Sequence, residues 1–139
     1  MRYKALSVKQ PWAGLIAQGT KTIETRKWAT NYRGPLLICA SLKPDVPGVC
    51  YCVGRGYVQA GPCVAYQGGV ALCLVDMLGC ERITREHSSA RLEADACCPV
   101  HEGLVAWHLG NVRRLKPPLP EVKGKLGLFT VDLDRLVLL

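Results

Sequence analysis

The sequence predicts an α+β domain with a curled, mostly antiparallel sheet or small barrel of about six short strands. Three observations lead to this class. The chain has 139 residues, which fits one domain. Short apolar runs bounded by turn residues recur along it, and helical patterns are limited to two short stretches. We therefore expect residues 1–139 to form a single domain, with two or more short helices beside the sheet.

The elements follow from local patterns. Pro11 opens a short helix, because a proline loses no hydrogen bond at a first helical position, and Gly19 ends that helix in a left-handed turn. Thr84 as a cap and Glu86 as a first-turn acid predict a helix over 84–96. The predicted strands are 3–8, 22–28, 35–42, 70–78, 103–109 and 127–133.

One segment resists this assignment. Residues 43–69 contain three prolines and six glycines in loose order, so we predict a loop-rich excursion there. A second break, K-P-P-L-P at 116–120, is unsuited to any regular element because proline removes backbone donors and fixes φ.

Charge is distributed unevenly along the chain. The net charge of +7 lies entirely in residues 1–43, which hold eight basic residues against one acid, whereas 44–139 hold ten of each sign. A localised basic surface attracts polyanions, and phosphate backbones are the commonest of these in a cell. A basic surface that serves only solubility is the alternative, because charge alone identifies no partner.

The N-terminus lacks the apolar stretch of a signal peptide, and no apolar run approaches the ~20 residues of a membrane span. We therefore expect an intracellular, cytoplasmic protein without membrane contact. Eight cysteines then favour free thiols over disulfides. A zinc site is the sharper alternative, but the spacing of the candidate ligands is wrong for paired C-x2-C motifs. We expect no metal and no cofactor. The candidate zinc ligands are Cys50, Cys52, Cys63, Cys97, Cys98 and His101.

Residues 19–26, G-T-K-T-I-E-T-R, carry the densest functional signal. If a strand begins near Thr22, alternation sends Ile23 into the core and places Glu24 and Arg26 on the other face. Lys21 lies in the turn just before the strand. The segment therefore predicts two cations flanking one carboxylate at a helix–strand junction.

Two interpretations of that cluster remain open. It is either an exposed ion-pair ladder worth about 1 kcal/mol or less, or a polar cleft. In a cleft, Arg26 would grip a phosphate with its planar fork, and Lys21 would act as a point charge or a base. Glu24 would orient both cations, or accept a proton or a base-edge donor.

The surrounding segments resemble a known family. G-x-K-x-x-E-x-R follows a short helix, is entered by S-V-K-Q-P-W-A and is left by T-N-Y-R-G-P-L-L-I. This arrangement resembles the ASCH domain (activating signal cointegrator homology), a member of the PUA-like superfamily. W-H-L-G-N-V-R at 107–113 and V-K-G-K-L-G-L-F at 122–129 resemble that family's late strand and closing strand.

The resemblance implies a PUA-like small β-barrel with a cleft near the motif, similar in place to the RNA-contacting surface of PUA domains. Its implied function is binding of RNA or single-stranded nucleic acid, or of a nucleotide or nucleoside. An alternative is a small metal-independent hydrolase that uses Lys21 and Glu24 as catalytic residues, either a ribonuclease or an amidohydrolase of acylated nucleosides. A further alternative is a protein-interaction module in transcription or translation control.

The resemblance implies that amidohydrolases form one branch of the family, and in that branch a Lys and a Thr of the same motif lie three residues apart. Lys21 matches that Lys, but Glu24 stands at the Thr position, and a carboxylate cannot serve as a hydroxyl nucleophile. We therefore favour binding over hydrolysis, without excluding catalysis. The candidate ligand-binding residues are Lys21, Glu24, Arg26, Trp28, Asn31, Tyr32, Arg33 and Lys123.

Overall fold

The computed structural model describes residues 1–58, 67–86, 89–117 and 119–139, and within them it has six strands and three helices. The strands are β1 (Arg2–Val8), β2 (Ile23–Arg26), β3 (Gly34–Ala40), β4 (Val70–Arg82), β5 (Val105–Arg114) and β6 (Leu128–Asp132). The helices are α1 (Trp12–Ala17), α2 (Val46–Gly54) and α3 (Ala90–Ala96).

All six strands belong to one sheet in the order β2-β5-β4-β3-β1-β6. The β1–β3 pair is parallel, and the other neighbouring pairs are antiparallel. These findings confirm the predicted α+β class with six mostly antiparallel strands. No strand pairing among the described residues joins the edge strands β2 and β6, so the sheet is an open form of the expected barrel.

Both faces of the central strands are buried, because alternating residues supply two cores. Leu36 and Ile38 of β3 join a core that includes α1, whereas Leu37 and Cys39 join a second core with Phe129 of β6. A smaller cluster packs α3 against Ile23 of β2. Alternation along β3 therefore explains its continuous apolar sequence, since a strand covered on both faces carries no polar side.

Two element predictions are wrong in part. Residues 46–54 of the predicted excursion form α2, because the Asp45 side chain accepts a hydrogen bond from Gly48 N at 3.1 Å and a proline lies in the first turn. The predicted helix over 84–96 begins only at Ala90, where Ser89 Oγ caps Leu92 N at 3.1 Å. The rest of the excursion, 59–66, lies outside the described residues.

The cysteines of the described segments are free, and Cys39 and Cys73 are buried as small apolar side chains. The same segments hold no group of three or more metal-ligating side chains. Cys63, a candidate zinc ligand, falls outside them. None of the helices described is long and apolar enough to cross a bilayer.

Candidate functional site

A cleft of about 1430 Å³ opens at one end of the sheet. At that end β1 and β3 finish and β4 and β6 begin, because β1 runs parallel to β3 and antiparallel to β6. The cleft walls come from the strand ends and the loops that follow them, together with the start of α1 and the 19–26 segment. The site therefore combines parts of the chain that are far apart in sequence.

A tight turn delivers Lys21 to the cleft. Gly19 has φ +82°, a conformation that L side chains rarely adopt, and it follows α1 as predicted. Beyond it, Thr20 N and Lys21 N both donate to Leu15 O, at 3.0 and 3.1 Å. These bonds satisfy a carbonyl of the last helical turn, and β2 begins two residues after Lys21, at Ile23.

The predicted arrangement of two cations around one carboxylate is confirmed, and it is buried. Lys21 Nζ lies 3.6 Å from Glu24 Oε1, and Arg26 Nη2 lies 3.0 Å from Glu24 Oε2. The side chains of Lys21 and Glu24 are only 1% and 8% exposed, whereas that of Arg26 is 24% exposed. The exposed-ladder interpretation is therefore wrong, since this carboxylate and this ammonium have little contact with solvent.

The Lys21 ammonium has further partners besides Glu24. It donates to Ala96 O at the C-terminal end of α3, where the last helical carbonyls have no partner within the helix. Its Nζ also lies 5.1 Å from the centre of the Trp12 ring, within the range of a cation–π contact. These contacts fix Lys21 in the floor of the cleft.

Arg26 links the edge strand β2 to β1. Its Nη2 donates to Ser7 O at 2.8 Å as well as to Glu24. Because β2 and β1 are four places apart in the sheet order, this contact shows that the sheet curls back toward itself. Within the described segments its Nη1 and Nε have no hydrogen-bond partner, so half of the guanidinium fork stays available at the cleft.

Three exposed lysines stand on the rim of the cleft. Lys9 follows β1, and Lys123 and Lys125 lie in the loop that leads into β6. Glu121 is the exposed acid on the same rim. The rim is therefore cationic, and it draws on both ends of the chain.

Two buried thiols, those of Cys52 and Cys97, lie near Lys21. Burial raises the pKa of Cys52 to about 11, and it also raises the pKa of Cys97 despite the nearby Lys21 charge. Cys97 Sγ faces Thr20 O at 3.7 Å. Both sulfurs therefore stay protonated near neutral pH, and neither is an activated nucleophile.

Four of the predicted site residues are not among the lining residues of this cleft: Trp28, Asn31, Tyr32 and Arg33. The Trp28 ring packs edge-on against Trp107 at 4.8 Å, and its carbonyl accepts from Trp107 Nε1. Arg33 Nη1 donates to the carbonyls of Thr30 and Tyr32, both at 2.8 Å.

The other two of these four lie in the same turn. Tyr32 OH donates to Pro35 O, and burial raises the pKa of this phenol. Asn31 is exposed. A ligand role for Trp28, Asn31, Tyr32 and Arg33 stays a prediction. Of the predicted set, the cleft brings together Lys21, Glu24, Arg26 and Lys123.

Sequence reasoning did not assign Asp45 to the site. Its Oδ2 accepts from Trp12 Nε1 at 3.0 Å, and its Oδ1 caps α2, so one carboxylate holds both the indole and the helix start. The signal was present, because an Asp followed by a proline within the first turn is typical of a helix start. The contact with Trp12 joins residues 33 positions apart in the chain, and no local sequence pattern predicts it.

Comparison with known proteins adds the family. The ASCH domain profile matches residues 6–119. Activating signal cointegrator 1 of Homo sapiens is 38% identical over 81 residues, and that of Mus musculus 37%. Each match covers 54% of this chain but only 14% of the relative's length.

A solved structure matches the chain over most of its length. The crystal structure of a mutant ASCH protein from Zymomonas mobilis aligns with a TM-score of 0.54 at 10% identity, covering 94% of this chain and 90% of that one. At this identity the likeness speaks for the fold alone, which is the PUA-like fold that the sequence resemblance implied. With a profile matching residues 6–119 and this fold around the Lys21–Glu24–Arg26 cluster, the chain belongs to the ASCH domain family.

Proposed function

We propose that this protein binds RNA or single-stranded nucleic acid in the cleft at the end of the sheet. The observation that carries the proposal is the cleft's cationic rim of exposed Lys9, Lys123 and Lys125, joined by the partly exposed Arg26. Phosphate contacts dominate the affinity of proteins for nucleic acids, and proteins that bind single strands use a positively charged groove that follows the backbone.

In this proposal the buried Lys21–Glu24 pair positions the Arg26 guanidinium. Glu24 accepts from Arg26 Nη2 and holds that side of the fork against β1, which would leave Nη1 and Nε for a phosphate. Lys21 offsets the Glu24 charge from beneath. The arrangement therefore presents a pre-oriented guanidinium with little conformational entropy left to lose on binding.

The proposal is tested by fluorescence anisotropy with a labelled single-stranded RNA of about 12 nucleotides, titrated at several salt concentrations. Each phosphate contact contributes about −0.7 to the slope of log K against log salt for single strands, so four rim cations give a slope of up to about −2.8. Absence of binding at about 50 mM salt, where such contacts are strong, would refute the proposal.

A second candidate function is hydrolysis of RNA or of an acylated nucleoside. It is favoured by one observation, the buried Lys21–Glu24 pair in the floor of a cleft large enough for a nucleotide. Metal-free cleavage needs a base near the reacting atom and cations on the developing charge. Here Lys21 and Glu24 would be the catalytic residues.

This second candidate is tested by incubating the protein with RNA and, separately, with N-acylated cytidines. Lys21→Met keeps most of the side-chain volume, and circular dichroism is used to check that the variant folds. Product formed by the natural chain and lost in Lys21→Met is the expected result for an enzyme. Product that persists unchanged in Lys21→Met removes Lys21 from the mechanism.

A further inference from the structure

Trp28 is an exposed aromatic residue just outside the cleft. It is 38% exposed, whereas the other aromatic residues of the described segments are half-buried or buried. A single exposed apolar residue is ordinary on a protein surface. Trp28 differs in two respects, because its ring packs on a buried partner and because it follows directly after the cleft along the chain.

Trp107 holds Trp28 in place. Trp107 is fully buried, and its Nε1 donates to the Trp28 carbonyl at 2.9 Å. The two ring centres lie 4.8 Å apart, with an angle of 89° between the ring planes. In such a perpendicular pair one ring meets the other with its edge, so Trp107 covers at most one of the two faces of the Trp28 ring. The exposed indole is therefore already positioned, and it has little conformational entropy left to lose on binding.

The chain connects Trp28 directly to the cleft. On β2 the lining of the cleft ends at Arg26, whose Nη2 is bonded to Glu24 and to Ser7 O. Two residues of extended chain span at most about 7 Å, so the Cα atoms of Arg26 and Trp28 lie within that distance of each other. Lys27, between them, is exposed. A guanidinium, an ammonium and a flat ring thus follow one another at the edge of the cleft.

This order of groups matches the way in which proteins bind single strands. Such proteins combine cations that follow the phosphate backbone with aromatic rings on which bases stack. Every base has a flat face, so a stacking ring accepts any sequence. A base inside a duplex is already stacked on its neighbours and must leave the stack before it can lie on a protein ring. The surroundings of Trp28 therefore fit an unpaired base.

We propose that Trp28 forms a base-stacking subsite beside the cleft, where one unpaired nucleobase lies on the indole and the adjoining phosphates contact Arg26 and Lys27. This inference rests on the proposed binding of single strands in the cleft, and it adds a contact with a base outside the cleft. The ligand class is accordingly a single strand that continues from the cleft past Arg26, rather than a regular duplex.

The test compares two labelled probes of equal length and charge by fluorescence anisotropy at about 50 mM salt, where phosphate contacts are strong: a single-stranded RNA and its fully abasic counterpart. Stacking of a base on an aromatic side chain changes affinity by about tenfold or more, so the intact strand should bind roughly tenfold more tightly. Trp28→Leu keeps an apolar side chain but removes the flat ring. It should lower the affinity for the intact strand to the abasic level and leave abasic binding unchanged.

Two further variants serve as controls. Trp28→Phe retains a flat ring and should keep most of the preference for the intact strand. Leu78→Ser removes another exposed apolar side chain that does not line the cleft, and it should keep the full preference. The hydrogen bond from Trp107 goes to the main-chain carbonyl of Trp28, so it remains possible in both variants at this position.

Equal binding of the intact and abasic probes by the natural protein overturns the stacking subsite while leaving the phosphate-binding proposal standing. A preference that persists in Trp28→Leu means that the base is contacted elsewhere, and this also overturns the subsite. If Trp28→Leu weakens the binding of both probes equally, the ring supports the cleft and not a base, and the subsite fails. If neither probe binds the natural protein, the proposed function fails, and the subsite fails with it.

Discussion

Glu24 is the residue on which the buried charges of the site depend. Its two oxygens face Lys21 and Arg26, and Oε1 also accepts from Thr25 N at 3.2 Å. A charge taken out of water is tolerated only with a close partner of opposite sign, and removing one partner strands the other. The ion pairs at the cleft therefore contribute to the stability of the fold as well as to the site.

Glu24→Gln should lower the free energy of unfolding by about 3 kcal/mol or more, because it leaves the Lys21 ammonium buried without a carboxylate. The measurement is equilibrium unfolding in urea. Glu81→Gln is the matched control, since Glu81 pairs with His108 on the surface at 3.8 Å and is mostly exposed. The control should change stability by less than about 1 kcal/mol. Equal effects of the two substitutions would contradict a buried pair.

Thiol reactivity should separate the described cysteines by burial. Burial raises the pKa of Cys39 and Cys73 to about 12, so almost no reactive thiolate forms at these positions at pH 8. Cys50 is exposed and should alkylate first. Mass spectrometry of iodoacetamide-treated protein, read peptide by peptide with and without urea, measures this order. Native labelling of Cys39 as rapid as that of Cys50 would contradict the described core.

At the scale of elements, α2 supports the cleft wall through its first turn. Gly48 lies against Trp12, and Asp45 bonds both the Trp12 indole and the Gly48 N–H. Trp12 in turn lies over Lys21. The start of this helix is therefore connected to the floor of the site by packing and hydrogen bonds.

Gly48→Ala should destabilise the protein, because a Cβ there would lie 2.6 Å from Trp12 Cζ2 and 2.8 Å from Asp45 Oδ2. Gly54→Ala, in the same helix, meets nothing among the described residues within 4 Å and should be neutral or stabilising by up to about 1 kcal/mol. Thermal unfolding of both variants measures the contrast. A Gly48→Ala protein as stable as the Gly54→Ala protein would argue against the described packing of α2.

The sequence predicts elements well where one local signal dominates. Gly19 ends α1 in a left-handed turn, and each of the six predicted strand segments overlaps one of the six strands. It fails at α2, where scattered prolines and glycines obscure the Asp45 cap, and at the start of α3, where Thr84 resembles a cap but Ser89 is the residue that caps the helix. The burial of Lys21 and Glu24 was also missed, because it depends on α3, whose contact with Lys21 spans 75 residues.

For the whole molecule, charge and topology act together. The net charge of +7 is concentrated in residues 1–43, but the rim of the cleft draws Lys9 from that third and Lys123 and Lys125 from the opposite end of the chain. Pairing of β6 with β1 brings these segments together. The charge distribution along the sequence thus indicated a polyanion partner, while only the sheet order shows where the cations converge.

The central claim is that the cationic rim, rather than the overall charge, binds single-stranded RNA. The most direct measurement is the salt dependence of affinity for two triple variants of equal net charge. One neutralises the rim, with Lys9, Lys123 and Lys125 changed to Gln; the other neutralises three exposed cations that do not line the cleft, Arg55, Arg85 and Lys116.

The rim variant should bind weakly and lose about 2 from the magnitude of the slope of log K against log salt, about 0.7 for each phosphate contact removed. The off-cleft variant should retain nearly the slope of the natural protein. Equal losses in the two variants would contradict the account, because binding would then follow net charge and not the cleft.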